Sequence, residues 1–174
     1  MLDQSPVLLI TGATGLVGSE LLRRLLPAKQ GRRIVVLSRQ RVKIAGFGLS
    51  LECARAVNTE GTRNLLKLAS ECGNLRKFAH LSTVYVAGRE IGHFREGPIR
   101  HQSGFCNTYQ QSKYEAEHLV LRAMNELPVA IFRLSSIIGD SHRHGEAIQL
   151  CPSTYEVVPP KCASRSTRRA HRAH

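Results

Sequence analysis

The chain has no tryptophan, and aromatic residues make up only 5% of its 174 positions. A groove for single-stranded nucleic acid, which stacks bases on aromatic rings, is hard to build from that stock. No apolar run approaches the roughly 20 residues that cross a bilayer, and no basic stretch precedes a hydrophobic one near Met1. These lacks predict a cytoplasmic protein with no membrane span. The five cysteines are odd in number and never form a C-x-x-C pair, which predicts reduced thiols rather than a disulfide framework. The histidine pairs at "HRHG" and "HRAH" lack cysteine or carboxylate partners at ligand spacing, so no metal site is expected. Acidic residues run out early: none follows Glu156, while Lys161, Arg165, Arg168, Arg169 and Arg172 supply five charges of the formal +12. Much of the basic excess therefore belongs to a tail. It marks no recognition helix, and no nucleic-acid partner is expected.

What the chain does have is aliphatic residues in a layered order. A hydrophobic share of 42% in this length suits one core, and short aliphatic runs suit an α/β protein. "PVLLI" (6–10) reads as a strand, "GSELLRRLLPAKQG" (18–31) as a helix with a leucine stripe, and "RIVVLSR" (33–39) as a second strand. "ARAVNTEGTRNLLKLASEC" (54–72) reads as an amphipathic helix and "KFAHLSTVYVAG" (77–88) as a strand. A polar loop follows, then a helix over 109–127 with Asn107 as its cap, then the strand "VAIFRLSSIIG" (129–139). The expected fold is a Rossmann-type doubly wound parallel sheet. Residues 40–53 are too few for the strand, helix and strand that such a sheet places there, so the sheet is expected to be incomplete. Residues 1–146 are assigned to an NAD(P)-binding domain and 147–174 to a basic, disordered tail.

The stretch Thr11-Gly12-Ala13-Thr14-Gly15-Leu16-Val17-Gly18 joins the first strand to the first helix. Gly12 allows a sharp turn, Gly15 lets a phosphate approach the backbone, and Gly18 lets helix and strand pack closely. The helix N-terminus then offers N–H donors and a partial positive charge to a pyrophosphate. Ser38 and Arg39 end the second strand where a carboxylate would accept from a ribose 2′-hydroxyl. Arg39 suits a 2′-phosphate instead, which favours NADP, with NAD as the alternative.

Tyr109 and Lys113 stand at i and i+4 on one helix face. A free phenol titrates near 10, and a neighbouring cation brings it towards the working range of an acid-base catalyst. Thr83, at the end of the preceding strand, can hydrogen-bond the same substrate oxygen.

"TGATGLVG", "VNTEGTRNLL", "HLSTVYVAG", "YQQSK" and "FRLSSIIGDS" occur in the order of the extended short-chain dehydrogenases/reductases, which the chain resembles over 6 to about 146. "STVYVAGREIGHFRE", "NTYQQSKYEAEHLV" and "IIGDS" are similar to the thioester-reductase branch, which includes the male-sterility-type fatty acyl reductases. The resemblance implies an NADP-dependent oxidoreductase that reduces a small or carrier-bound acyl thioester to aldehyde or alcohol. It implies Tyr109 as proton donor, Lys113 as the group that lowers its pKa and holds the nicotinamide ribose, and Thr83 as the group that orients the carbonyl. Asn58 matches the asparagine of the family's V-N-x-x-G-T helix and takes a supporting role. Leu134 departs from the family's usual proline. No counterpart of the family's fourth strand is present, and the basic tail replaces its substrate region, so a truncated and internally shortened member is expected. Two alternatives stand beside the reductase: a catalytically impaired nucleotide-binding remnant, and an NAD-dependent sugar-nucleotide epimerase or dehydratase.

Overall fold

The computed structural model describes residues 5–28, 31–38, 49–100 and 102–137. Arg39, most of the 40–53 segment and the basic tail lie outside them. The described residues fall into two units, residues 5–38 and residues 49–137.

In the first unit, Val7–Thr11 forms β1, Leu16–Leu25 forms α1 and Arg33–Leu37 forms β2. β1 and β2 pair in parallel, from Val7 opposite Arg33 to Thr11 opposite Leu37. Parallel neighbours need a crossover, and α1 supplies it. The helix ends before Pro27, whose ring cannot continue it. Of the aliphatic run in β1 only Ile10 is buried, while Val7 and Leu9 on the alternate face are exposed. One helix can cover only one face of a sheet, and α1 is the only helix among the unit's described residues.

In the second unit, a helix begins with Ser50, whose Oγ accepts from the Cys53 N–H at 3.3 Å. Leu51–Arg55 forms α2, Ala56–Glu60 a π-helical turn, and Gly61–Ser70 forms α3. The helix starts three residues earlier than expected, so Leu51, Glu52 and Cys53 are helical. Ser50 caps it, and Glu52 in the first turn suits its positive end. β3 follows at Phe78–Thr83, then a 3₁₀ turn at Val84–Ala87, α4 at Thr108–Ala123 and β4 at Val129–Leu134.

β3 and β4 pair in parallel, from Phe78 opposite Val129 to Thr83 opposite Leu134. β3 was expected to run to 88, but Thr83 Oγ1 accepts from the Tyr85 N–H at 3.3 Å and turns the chain out of the sheet. β4 loses its partner at the same level, and ends at Leu134 rather than 139. Asn107 caps α4 as expected, Oδ1 accepting from the Gln110 N–H at 2.9 Å. Val86, Ala87 and Ile99 form a small apolar cluster with Tyr114 packed on it, and Ala116 and Val120 of α4 are fully buried.

Each unit is thus a parallel strand pair with a helical crossover, the repeating piece of a Rossmann-type fold. Among the described residues β1 pairs with β2 alone and β3 with β4 alone. No helix among them is long and apolar enough to cross a membrane.

Candidate active site

The glycine loop of the first unit is built by backbone constraint. Gly12 has φ +67°, the left-handed region in which a side chain is strained. A Cβ on Gly18 would stand 2.2 Å from the Gly12 carbonyl oxygen and 2.7 Å from the Ala13 Cα. Since both contacts are backbone, no side chain can be accommodated there without moving the chain. The Gly15 N–H donates to the Gly12 carbonyl at 3.0 Å and closes the turn. Gly15 is then the cap of α1, with no side-chain cap bond and no acid in the first turn. The amides of Leu16, Val17 and Gly18 precede the first intrahelical donor, the Ser19 N–H, and form the positive end of a ten-residue helix. This cradle fits a pyrophosphate: narrow where a Cβ would intrude, donor-rich and free of competing carboxylates. Thr11 and Thr14 at its rim are exposed, as is Ser38 just beyond β2.

In the second unit, Thr83, Tyr109, Lys113 and Asn58 all meet α4. Thr83 is buried at the end of β3, and its side chain is close enough to the Tyr109 phenol to pull its pKa down. Lys113 Nζ donates to the Leu81 carbonyl at 2.7 Å. Asn58, carried by the π-helical turn, donates from Nδ2 to Ser112 Oγ at 3.0 Å, and Ser112 Oγ donates to the Tyr109 carbonyl at 3.0 Å. Thr59 Oγ1 adds a bond to the Ser112 carbonyl at 3.2 Å. A π-turn widens the helix and turns two consecutive side chains, Asn58 and Thr59, onto one neighbour. Asn58 therefore grips the turn of α4 that lies between Tyr109 and Lys113.

The electrostatics differ from simple expectation. Burial pushes the Tyr109 phenol above its ordinary value of 10, with the Thr83 side chain pulling the other way. Burial also lowers Lys113, opposed by the charge of Glu117. The Leu81 carbonyl takes one of the three N–H donors of the Lys113 ammonium, and Tyr109 keeps its proton at neutral pH.

Several residues around the pair carried no flag in the sequence. The Tyr85 hydroxyl lies 3.0 Å from Ser136 Oγ. Glu117 is fully buried and ion-paired with Arg133 at 2.7 Å. His80, buried in β3, has an Nε2 with no hydrogen-bond partner among the described residues; burial and then Lys113 hold its pKa down to about 4. The i, i+4 relation of Lys113 and Glu117 was available in the sequence. Its meaning was not, because most glutamates at such positions are solvated.

Residues 44–151, more than half of the chain, match the male sterility protein family. The chain belongs to that family. The male sterility match takes in Asn58, Thr83, Tyr109 and Lys113, and begins after the glycine loop. A fatty acyl-CoA reductase of Drosophila melanogaster, wat, is 30% identical over 117 residues, covering 53% of this chain and 23% of that protein. The isonitrile lipopeptide synthase of Streptomyces coeruleorubidus is 40% identical over 89 residues, covering 49% of this chain and 6% of that protein. The chain thus spans less than a quarter of the length of these relatives. In fold it is similar to the UDP-glucuronic acid 4-epimerase of Bacillus cereus, solved with NAD. The TM-score is 0.58 at 20% identity, over 75% of this chain and 56% of that one. The male sterility family and this fold agree with the extended short-chain dehydrogenase/reductase branch implied by the motifs.

Proposed function

We propose that this chain carries the nucleotide-binding and proton-transfer residues of an NAD(P)-dependent reductase, with NADPH as donor and an acyl thioester as substrate. The observation that carries the reading is the buried Thr83 side chain acting on the Tyr109 phenol at the end of β3, with Lys113 one turn along the same face of α4. Membership of the male sterility family and likeness to the Drosophila fatty acyl-CoA reductase support the substrate class. Arg39 in the sequence supports NADP over NAD.

Reduction of a thioester carbonyl needs a hydride at carbon and a proton at oxygen, and expels the thiol to leave an aldehyde; a second round gives the alcohol. The nicotinamide supplies the hydride when bound. Tyr109, kept protonated by burial, gives its phenolic proton to the carbonyl oxygen as negative charge develops there. Thr83 shares that oxygen and fixes its direction. Lys113 provides the positive charge that stabilises the phenolate left behind, and its ammonium would hold the nicotinamide ribose. Asn58 holds the turn between them through Ser112. The amides of Leu16, Val17 and Gly18, with Thr11, Gly12, Thr14 and Gly15 around them, take the pyrophosphate, and Ser38 and Arg39 the adenosine end.

The test is consumption of NADPH with a long-chain acyl-CoA, followed by absorbance. Tyr109→Phe is expected to lower kcat by about 10²–10⁴-fold. Unchanged turnover in that variant removes Tyr109 as the acid. A thermal-shift titration separates binding from catalysis, since a hundredfold excess of ligand over Kd stabilises by about 2.7 kcal/mol. A shift with NADPH but no turnover favours the catalytically impaired nucleotide-binding reading.

A further inference from the structure

Three consecutive residues of β3 are tied to three turns of α4. The Thr83 side chain acts on the Tyr109 phenol, the Leu81 carbonyl accepts from Lys113 Nζ at 2.7 Å, and Ser82 Oγ donates to Glu117 Oε2 at 2.5 Å. Tyr109, Lys113 and Glu117 stand at i, i+4 and i+8, so a single stripe of α4 faces the end of one strand. The proposed reaction uses the first two rungs of this ladder and leaves the third without a task.

That third rung is the most deeply buried. Glu117 has no exposed surface, and the Arg133 side chain is 18% exposed. Arg133 grips the carboxylate as a fork: one terminal nitrogen donates to Oε1 at 2.7 Å, and Nε lies 3.2 Å from both oxygens. The same terminal nitrogen donates to the Gly97 carbonyl at 2.6 Å, in the loop that leads into α4. A buried ion pair is often no more stabilising than well-packed apolar residues of the same volume. Packing alone therefore gives no reason for a charge at this point of α4. Its surroundings do: Lys113 and His80 both feel the Glu117 charge.

We propose that Glu117, held by Arg133 and Ser82, is a positioning residue. It fixes the turns of α4 that carry Lys113 and Tyr109 against the end of β3, and it presents Lys113 with a permanent negative charge. The inference rests on the reading of Tyr109 and Lys113 as the reacting pair. Among the described residues, the ionisable groups facing this part of α4 are Tyr109 and Glu117 on the helix itself and His80 on β3, with Arg133 on β4 paired to Glu117. Glu117 supplies the negative charge among them at neutral pH. Burial pushes its carboxyl up, but the hydrogen bonds from Arg133 and Ser82 more than offset that, so its pKa is lowered and it stays ionised.

The experiment compares the full chain with Glu117→Gln and Glu117→Asp, labelled with carbon-13 at lysine Cε and titrated by NMR. The Lys113 signal is assigned by its loss in Lys113→Arg. Removal of the charge is expected to lower the Lys113 midpoint by about half a pH unit or more, with most of it restored in Glu117→Asp. Turnover of NADPH with acyl-CoA is expected to fall about tenfold in kcat with KM little changed, as misplacement of reacting groups requires, and its pH profile to move with the midpoint. A folded Glu117→Gln protein with the Lys113 midpoint and the pH profile both unchanged overturns the proposal. Where Glu117→Gln does not fold, Ser82→Ala breaks the rung and leaves the ion pair: a loss confined to kcat supports positioning, and unchanged kcat overturns it. If the parent chain shows no turnover at all, the functional reading fails, and the Lys113 midpoint alone decides this inference.

Discussion

The glycine loop of residues 5–38 and the α4 ladder of residues 49–137 solve the same problem, holding groups in fixed places, by opposite means. The loop is held by what is absent: Gly12 adopts φ +67°, and Gly18 lies where a Cβ would meet the Gly12 carbonyl at 2.2 Å. The ladder is held by what is present: a buried Glu117, its Arg133 fork, and Ser82, Ser112 and Asn58 bonded across elements distant in sequence. Backbone constraint costs little and resists salt and pH. Side-chain constraint adds charge and titration to the site, and exposes it to both.

Substitutions that separate the two modes should rank accordingly. Arg133→Met leaves the fully buried Glu117 carboxylate without its cation, and is expected to cost about 4 kcal/mol in urea unfolding. Hydrogen exchange should place that loss in residues 49–137. Acid should act on the same region. The His80 imidazole is held down to about 4 against an ordinary 6.5, so the unfolded chain takes up its proton first as pH falls. The stability it contributes is complete above 6.5 and is lost progressively down to 4, amounting to about 3 kcal/mol. Urea midpoints for the parent and His80→Gln across that window should diverge by about this much if burial of a neutral imidazole is the cause.

Gly18→Ala forces backbone to move in the other region, at about 2 kcal/mol, with no pH dependence in the increment. A pH-dependent increment would break the contrast between the two modes. The smallest effect is Asn107→Ala, about 1 kcal/mol from loss of the cap bond to the Gln110 N–H, seen as a modest fall in Tm.

The same contrast explains what the sequence could reveal. The Gly12, Gly15 and Gly18 spacing is local, and each glycine has one backbone reason to be there, so the loop and its helix were legible. Tyr109 and Lys113 were legible because i, i+4 is also local. Glu117 was not, since Ser82 lies 35 residues away from it and Arg133 lies 16 residues away, and a glutamate in a polar helix reads as solvated. The ends of β3 and β4 were misplaced for a related reason. Val84, Tyr85 and Val86 are good strand formers, and only the Thr83 hydroxyl, turning back onto the Tyr85 N–H, stops the strand. His80 looked like one more histidine until β3 buried it.

The π-turn at Ala56–Glu60 is best understood as an insertion absorbed without a break. One extra residue in an ordinary α-helix rotates everything beyond it by about 100°. Here the wider turn takes up the added residue, so α2 and α3 keep separate angular phases along one continuous rod. The first phase points Arg55 at Glu115, bonded at 2.6 Å, and the turn itself points Asn58 and Thr59 at Ser112. Excision of one residue between 56 and 60 would restore a regular helix and put the two sets of contacts out of step. The rod could then satisfy either the outer clasp on α4 or the inner one beneath Tyr109, but not both together.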